Sequence, residues 1–315
     1  MADAPQGAPW LRRLWASWPY LLAAALFALG LFALSKLLAP VNPADIASQV
    51  RATPWTVLAL ALVATLCGYL CLAGYDWSAL RYIGKPLPLP IVLTGGLMAY
   101  AFGNTMGLSA VSGGAVRWRI YSGLGLDGYD IAAVSTFAAV SFGVAATLVG
   151  VGALAIHPGA LGPLLPFPPG VIRAVAVLTI IGMVAPLVWA SVTGRSLRIW
   201  KITIRAPSLG VLASQVAFSF GDIAFSCLTL FILLPPSDMG YFGFLAVFAA
   251  ATMAGVVSHV PGGIGVFETV VIAALPPSIP VEQAAAALIL YRMIYFLLPF
   301  TLALVVLAAY ELWRG

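Results

Sequence analysis

Apolar stretches of roughly 20 residues, parted by short polar ones, follow each other along this 315-residue chain. A helix needs about that length to cross a hydrocarbon core about 30 Å thick, and the short alternating segments of a barrel strand are missing. The pattern predicts full spans at about residues 20–38, 54–75, 129–156, 171–193, 208–234 and 283–312. Two further apolar stretches do not read as single spans. Ser112-Gly113-Gly114 interrupts one and Pro261-Gly262-Gly263 the other. Prolines and successive glycines abandon the helical ladder, and each backbone group freed in hydrocarbon costs several kcal/mol unless protein or trapped water satisfies it. Both breaks are therefore expected to line a cavity.

The two interrupted stretches resemble each other. A shift of 149 positions lays Ser109-Ala-Val-Ser-Gly-Gly-Ala-Val-Arg-Trp-Arg119 over Ser258-His-Val-Pro-Gly-Gly-Ile-Gly-Val-Phe-Glu268, with serines, valines and paired glycines coincident. Charge then decides how they lie. If each crossed the membrane once, the loop with Arg117 and Arg119 and the loop with Arg195, Arg198, Lys201 and Arg205 would face outside, against the positive-inside tendency. If each enters and returns on the same side, 11 of the 15 basic residues become cytoplasmic. Lys36, Arg51 and Arg173 remain outside and Arg292 within the membrane.

The predicted fold is thus all-α: a polytopic bundle of about six full spans plus two re-entrant broken-helix hairpins forming an inverted repeat. Residues 1–53 hold the N-terminal lead, first span and exterior loop. Residues 54–156 form the first unit around a hairpin at 91–126, and 157–207 a linking span and basic loop. Residues 208–315 form the second unit around a hairpin at 241–275. Both termini are expected in the cytoplasm, the first helix being uncleaved.

Composition agrees with the membrane reading. Hydrophobic residues make up 62% and charged ones 8%, against about 25% charged in soluble domains, and the mean hydropathy is +1.05. The net charge of +5 is read as orientation, not as nucleic-acid binding. Cys67, Cys71 and Cys227 lie in apolar runs without a CxxC pair, so neither disulfide framework nor metal site is indicated. No cofactor and no catalytic residue are expected in this region.

A charge at the centre of a membrane helix costs about 2.5–3.5 kcal/mol on insertion scales and so faces a partner or a wet cavity. Asp222, Glu268 and Arg292 fall in that position. Two readings stand side by side: Asp222 or Glu268 as a buried counter-ion of Arg292, or all three on a polar path. Arg117 and Arg119 orient the chain or hold a lipid phosphate, which guanidinium groups bind in bidentate fashion. His259 reads first as a core histidine. Asp127 and Asp130 are expected to cap the span at 129–156, while Asp76, at a predicted helix end, reads equally as cap or functional charge.

The run Gly103-Asn-Thr-Met-Gly-Leu-Ser-Ala-Val-Ser-Gly-Gly-Ala-Val-Arg-Trp-Arg-Ile-Tyr-Ser122, with Pro261-Gly-Gly-Ile-Gly-Val-Phe-Glu268 downstream, resembles the N-terminal membrane region of the lysylphosphatidylglycerol synthase/flippase family, the multiple peptide resistance factors. The resemblance implies a bacterial cytoplasmic-membrane protein that moves aminoacylated phosphatidylglycerol to the outer leaflet and so confers resistance to cationic antimicrobial peptides. It implies Asp76, Arg117, Asp222, Glu268 and Arg292 as functional charges, and a phospholipid and the membrane as partners. Assembly into a homo-oligomer stays open. Full-length family members add a lysyl-tRNA-dependent transferase domain, and synthesis is not assigned to these residues. Two alternatives compete: a non-transporting membrane anchor for such a synthase, and an intramembrane serine protease built on Ser112 and His259.

Overall fold

The computed structural model describes residues 43–106, 109–161, 167–194, 196–199, 202–205 and 207–314. The predicted first span and its flanking Arg12, Arg13 and Lys36 lie outside them. The described helices are α1 (Pro43–Ala52), α2 (Trp55–Tyr82), α3 (Leu89–Met106), α4 (Ser109–Tyr121), α5 (Gly128–Ile156), α6 (Pro169–Thr193), α7 (Leu209–Leu233), α8 (Tyr241–Val257) and α9 (Val266–Ala274). The last is α10 (Val281–Tyr291), continued through a π-helical turn (Arg292–Leu297) into α11 (Leu298–Arg314). Five of these segments are long and apolar enough to cross a membrane: α2, α5, α6, α7 and the run Val281–Ala309. The chain is a multi-pass helical membrane protein.

Three local expectations are corrected. Residues 40–53, read as a loop, contain α1. The basic linker, read without strands, carries an antiparallel ribbon of β1 (Ser196–Ile199) and β2 (Ile202–Arg205), with Ser196 opposite Arg205. Its sequence alternates aliphatic with basic or polar residues, the period of a strand. The third concerns Asp76, which does not end its helix: α2 continues to Tyr82 and Asp76 is fully buried within it. Predicted caps form elsewhere. Asp127 Oδ1 accepts from the Asp130 amide and Asp130 Oδ2 from the Asp127 amide, each at 2.9 Å, a reciprocal box that satisfies two donors at the start of α5.

At the centre α2 packs along α7. Gly74 lets them approach, since a Cβ there would stand 2.4 Å from the Phe218 ring. Polar bonds tie the pair together: Ser78 Oγ donates to Gln215 Oε1 at 2.7 Å, and the Thr65 and Thr229 hydroxyls lie 3.4 Å apart. Such contacts within membrane bundles average about 0.6 kcal/mol each. By contrast α6 buries only Ile172 and Ala176 against the other described residues.

The broken stretches fold back on themselves, α3 against α4 and α8 against α9. Lys85, just before α3, pairs with Asp130, just after α4, so the first hairpin begins and ends at one end of the bundle. Pro235 and Phe244, before and within α8, share a cleft with Leu275 and Ile279, which follow α9. Ser112-Gly113-Gly114, read as the first break, lies inside α4. The correction has a packing cause. A Cβ on Gly113 would meet the Ala99 carbonyl oxygen at 2.9 Å, so the glycine brings α4 onto α3 instead of breaking the helix. The second break lies where expected, with His259, Gly262, Gly263 and Gly265 all at positive φ.

Two outcomes are expected. Gly74→Ala should lower stability by about 1–3 kcal/mol through overpacking against Phe218, seen as a reduced melting temperature in detergent; an unchanged melt would contradict the close crossing. In a background with the native cysteines replaced, Lys85→Cys and Leu124→Cys should react with an impermeant thiol reagent from one side of the membrane and His157→Cys from the other. Labelling of Lys85→Cys and Leu124→Cys from opposite sides would refute re-entry of the first hairpin.

Candidate functional site

Each hairpin is fastened to a neighbouring span by an ion pair, fully buried in the first and partly buried in the second. In the first, Arg117 of α4 grips Asp76 of α2: Nη2 donates to Oδ1 at 2.7 Å and Nε to Oδ2 at 2.9 Å. Tyr121, one turn on, donates to Asp76 Oδ2 at 2.9 Å, Arg117 Nη1 reaches Ser135 Oγ at 3.4 Å, and the guanidinium lies 4.8 Å from the Tyr100 ring centroid. Asp76 is 0% and Arg117 3% exposed, so solvation has been replaced by charge, hydrogen bonds and an aromatic face.

The second pair reverses the arrangement, with the acid on the hairpin and the base on the span. Arg292 Nε donates to Glu268 Oε1 at 2.6 Å, and its Nη1 to the Gly262 carbonyl at 2.6 Å. Glu268 Oε2 accepts from the Gly265 amide at 2.7 Å. Thus Glu268 caps α9 and neutralises Arg292, while Arg292 satisfies a carbonyl freed by the break. Backbone freed by the π turn is satisfied likewise: Tyr69 Oη donates to the Tyr295 carbonyl at 3.0 Å and Thr105 Oγ1 to that of Phe296 at 3.3 Å.

Between the pairs lies a cavity of about 630 Å³, walled by Tyr75, Arg117, Asp222, His259 and Arg292 with mostly apolar neighbours. The hairpins approach each other here; a Cβ on Gly262 would stand 3.6 Å from the Asn104 carbonyl oxygen. Asp222, 3% exposed, accepts from Tyr75 Oη at 3.3 Å and Tyr295 Oη at 3.1 Å. Arg292 Nη2 lies 2.6 Å from Glu268 Oε1, and the Thr252 hydroxyl has no hydrogen-bond partner among the described residues. Both residues line the cavity. Buried polar groups are rarely left unpaired, so the Thr252 hydroxyl on this wall marks room for a polar ligand. Among the described residues no group of three metal-ligating side chains occurs.

The structure therefore brings Arg117, Asp222, His259, Gly262, Gly263 and Arg292 to one cavity, with Asp76 and Glu268 bonded to its arginines. Pro261 stands at the start of the 3₁₀ turn of the second break. Arg119 is exposed and outside the lining, and Ser112 is not on the wall where His259 stands. His259 Nδ1 is held 2.8 Å from the Val257 carbonyl. The tyrosines and Ser135 were missed at the sequence level. A signal existed: Tyr75 and Tyr291 directly precede Asp76 and Arg292, and Tyr121 follows Arg117 by four, one helical turn.

Residues 20–303 match the family described as the lysylphosphatidylglycerol synthase TM region. The protein slr0712 of Synechocystis is 32% identical over 301 residues, 93% of this chain and 92% of its own. The inner membrane protein YbhN of Escherichia coli is 29% identical over 256 residues, 75% of this chain and 74% of its own. Phosphatidylglycerol lysyltransferase of Staphylococcus aureus is 34% identical over 76 residues, 24% of this chain and 9% of that enzyme.

Removing one member of a buried pair strands the other. Asp76→Asn should destabilise the protein by about 3–5 kcal/mol, whereas Asp76→Leu combined with Arg117→Met should recover most of that loss. Thermal melts of the purified variants check this; additive losses in the double variant would show that the two side chains are not coupled.

Proposed function

The chain belongs to the lysylphosphatidylglycerol synthase transmembrane family, and from that premise we propose that it translocates aminoacylated phosphatidylglycerol from the inner to the outer leaflet of the bacterial cytoplasmic membrane. The observation that carries the reading is the charge balance of the cavity. Three carboxylates, Asp76, Asp222 and Glu268, stand against two guanidiniums, Arg117 and Arg292. With Asp222 ionised the site carries one net negative charge. A lysylated head group has two ammonium groups and one phosphate, hence one net positive charge, the complement of that site. Asp222 faces an ammonium, while the phosphate meets the Arg292 guanidinium and the Thr252 hydroxyl, which has no partner among the described residues. The cavity volume of about 630 Å³ falls within the roughly 300–1,000 Å³ of small-ligand sites and suits a head group whose acyl chains stay in lipid.

The phosphate role foreseen for Arg117 and Arg119 moves to Arg292, because the Arg117 side chain is only 4% exposed against 21% for Arg292, and Arg119 lies outside the cavity. Outward movement of one net positive charge works against an interior-negative potential at about 2.3 kcal/mol per 100 mV. Surface lysylation would lower the attraction of cationic antimicrobial peptides. Two features speak for passage over mere anchoring: the unpartnered Thr252 hydroxyl on the cavity wall, and a carboxylate with no cation against it among the described residues.

In proteoliposomes of phosphatidylglycerol and lysylphosphatidylglycerol, an amine-reactive impermeant probe should report translocation by the wild type. Arg292→Gln and Asp222→Asn should each slow it by about tenfold or more, equivalent to about 1.4 kcal/mol of barrier. Wild-type vesicles no faster than protein-free ones would favour the anchor reading. Unchanged rates in both variants would remove the cavity from the path.

A further inference from the structure

We propose that Asp222 is an exchange site, occupied in turn by a proton and by the ammonium of the lipid head group, so that lipid export is coupled to proton entry. The proposal rests on the translocation reading and supplies its energy source.

Three carboxylates serve the cavity and two are already neutralised, Asp76 by Arg117 and Glu268 by Arg292. Asp222 differs. It is buried on the cavity wall, its hydrogen bonds come from two neutral tyrosines at 3.3 and 3.1 Å, and no basic side chain among the described residues pairs with it. An ionised carboxylate in an apolar bundle is not offset by two neutral donors, so it takes up a cation or a proton.

The neighbours leave that choice to the occupant. Facing Asp222 are Tyr69, Cys71 and Tyr75 from α2, Tyr100 from α3, and Tyr291 and Tyr295 from the last helix. Cys227 sits on its own helix, with Tyr241 of α8 against it. All are neutral near pH 7 by their ordinary values. From α5 the cavity receives Ser135 and apolar side chains, and from α6 nothing. The remaining charged or titratable groups on the wall are Arg117 and Arg292, each held by its own carboxylate, and His259, held at Val257.

The exchange balances. A lipid ammonium meeting the Asp222 carboxylic acid forms an ammonium–carboxylate pair and releases one proton; protonation of the carboxylate on the other side releases the ammonium. One positive charge leaves with the lipid and one enters as the proton, so the membrane potential no longer opposes export, and a pH gradient drives it. Occupancy by both at once is excluded because the acid form offers no charge to the ammonium.

The test uses the full chain in detergent and weak buffer with a pH-sensitive dye, lipid binding being followed in parallel by calorimetry. Short-chain lysylphosphatidylglycerol should release up to one proton per chain, less as the pH is raised past ionisation of Asp222. Short-chain phosphatidylglycerol should release none, and neither lipid should release any from Asp222→Asn. Binding without proton release between about pH 5 and 9, or release that survives Asp222→Asn, overturns the proposal. Infrared difference spectra separate its failure from that of the translocation reading. A carboxylic C=O band lost on raising the pH in the wild type, and absent from Asp222→Asn and not from Tyr75→Phe, is expected even if lysylphosphatidylglycerol does not bind; absence of the band from the wild type overturns the proton site.

Discussion

A charge taken into hydrocarbon must find its counter-charge within the protein, and this requirement fixes the position of both hairpins. Neither α4 nor α9 is long enough to hold its place by apolar packing alone in a solvent as apolar as itself. Arg117 on one and Glu268 on the other supply what packing lacks, each closing on an opposite charge carried by a full span. A buried pair of this kind adds little net stability relative to apolar residues, yet it is costly to open. It therefore acts as a register device. Asp76 and Arg292 determine where the hairpins sit, and the space left between them is the cavity.

The two halves solve the same problem with opposite signs. In the first the span is acidic and the hairpin basic; in the second the span is basic and the hairpin acidic. The match of the two stretches at the paired glycines lays Arg119 over Glu268, but the residue that pairs with Asp76 is Arg117, two positions earlier. Similar sequence serves different local ends. Gly113 is a packing contact inside α4, whereas Gly262 and Gly263 take positive φ in a true break whose freed carbonyl is bound by Arg292.

Much of this was readable from the residues. The spans from α5 onward and the helix starts at Ser208 and Asp127 follow from hydropathy and capping chemistry, and the structure reproduces them within a few residues. The charges on the cavity were also visible, since an ionised group amid apolar sequence calls for a partner. Other features were hidden for physical reasons. Asp76 looked like a helix end because polar residues follow it, and only its tertiary pairing lets α2 run on to Tyr82. Ser112-Gly113-Gly114 read as a break because two glycines look alike whether they serve a turn or a close helix contact. No periodicity announces a π turn, and the side chains that satisfy it, Tyr69 and Thr105, are distant in sequence.

The account stands on a hydrated cavity between the hairpins that receives the lipid head group, and Ser226, on its wall beside Asp222, reports on it most directly. With the native cysteines replaced, the reactivity of Ser226→Cys toward a small water-soluble thiol reagent should be measured in membranes with and without lysylphosphatidylglycerol. The account predicts ready reaction in phosphatidylglycerol alone and protection by the lysylated lipid. A thiol that does not react, or that reacts equally in both lipids, would contradict it.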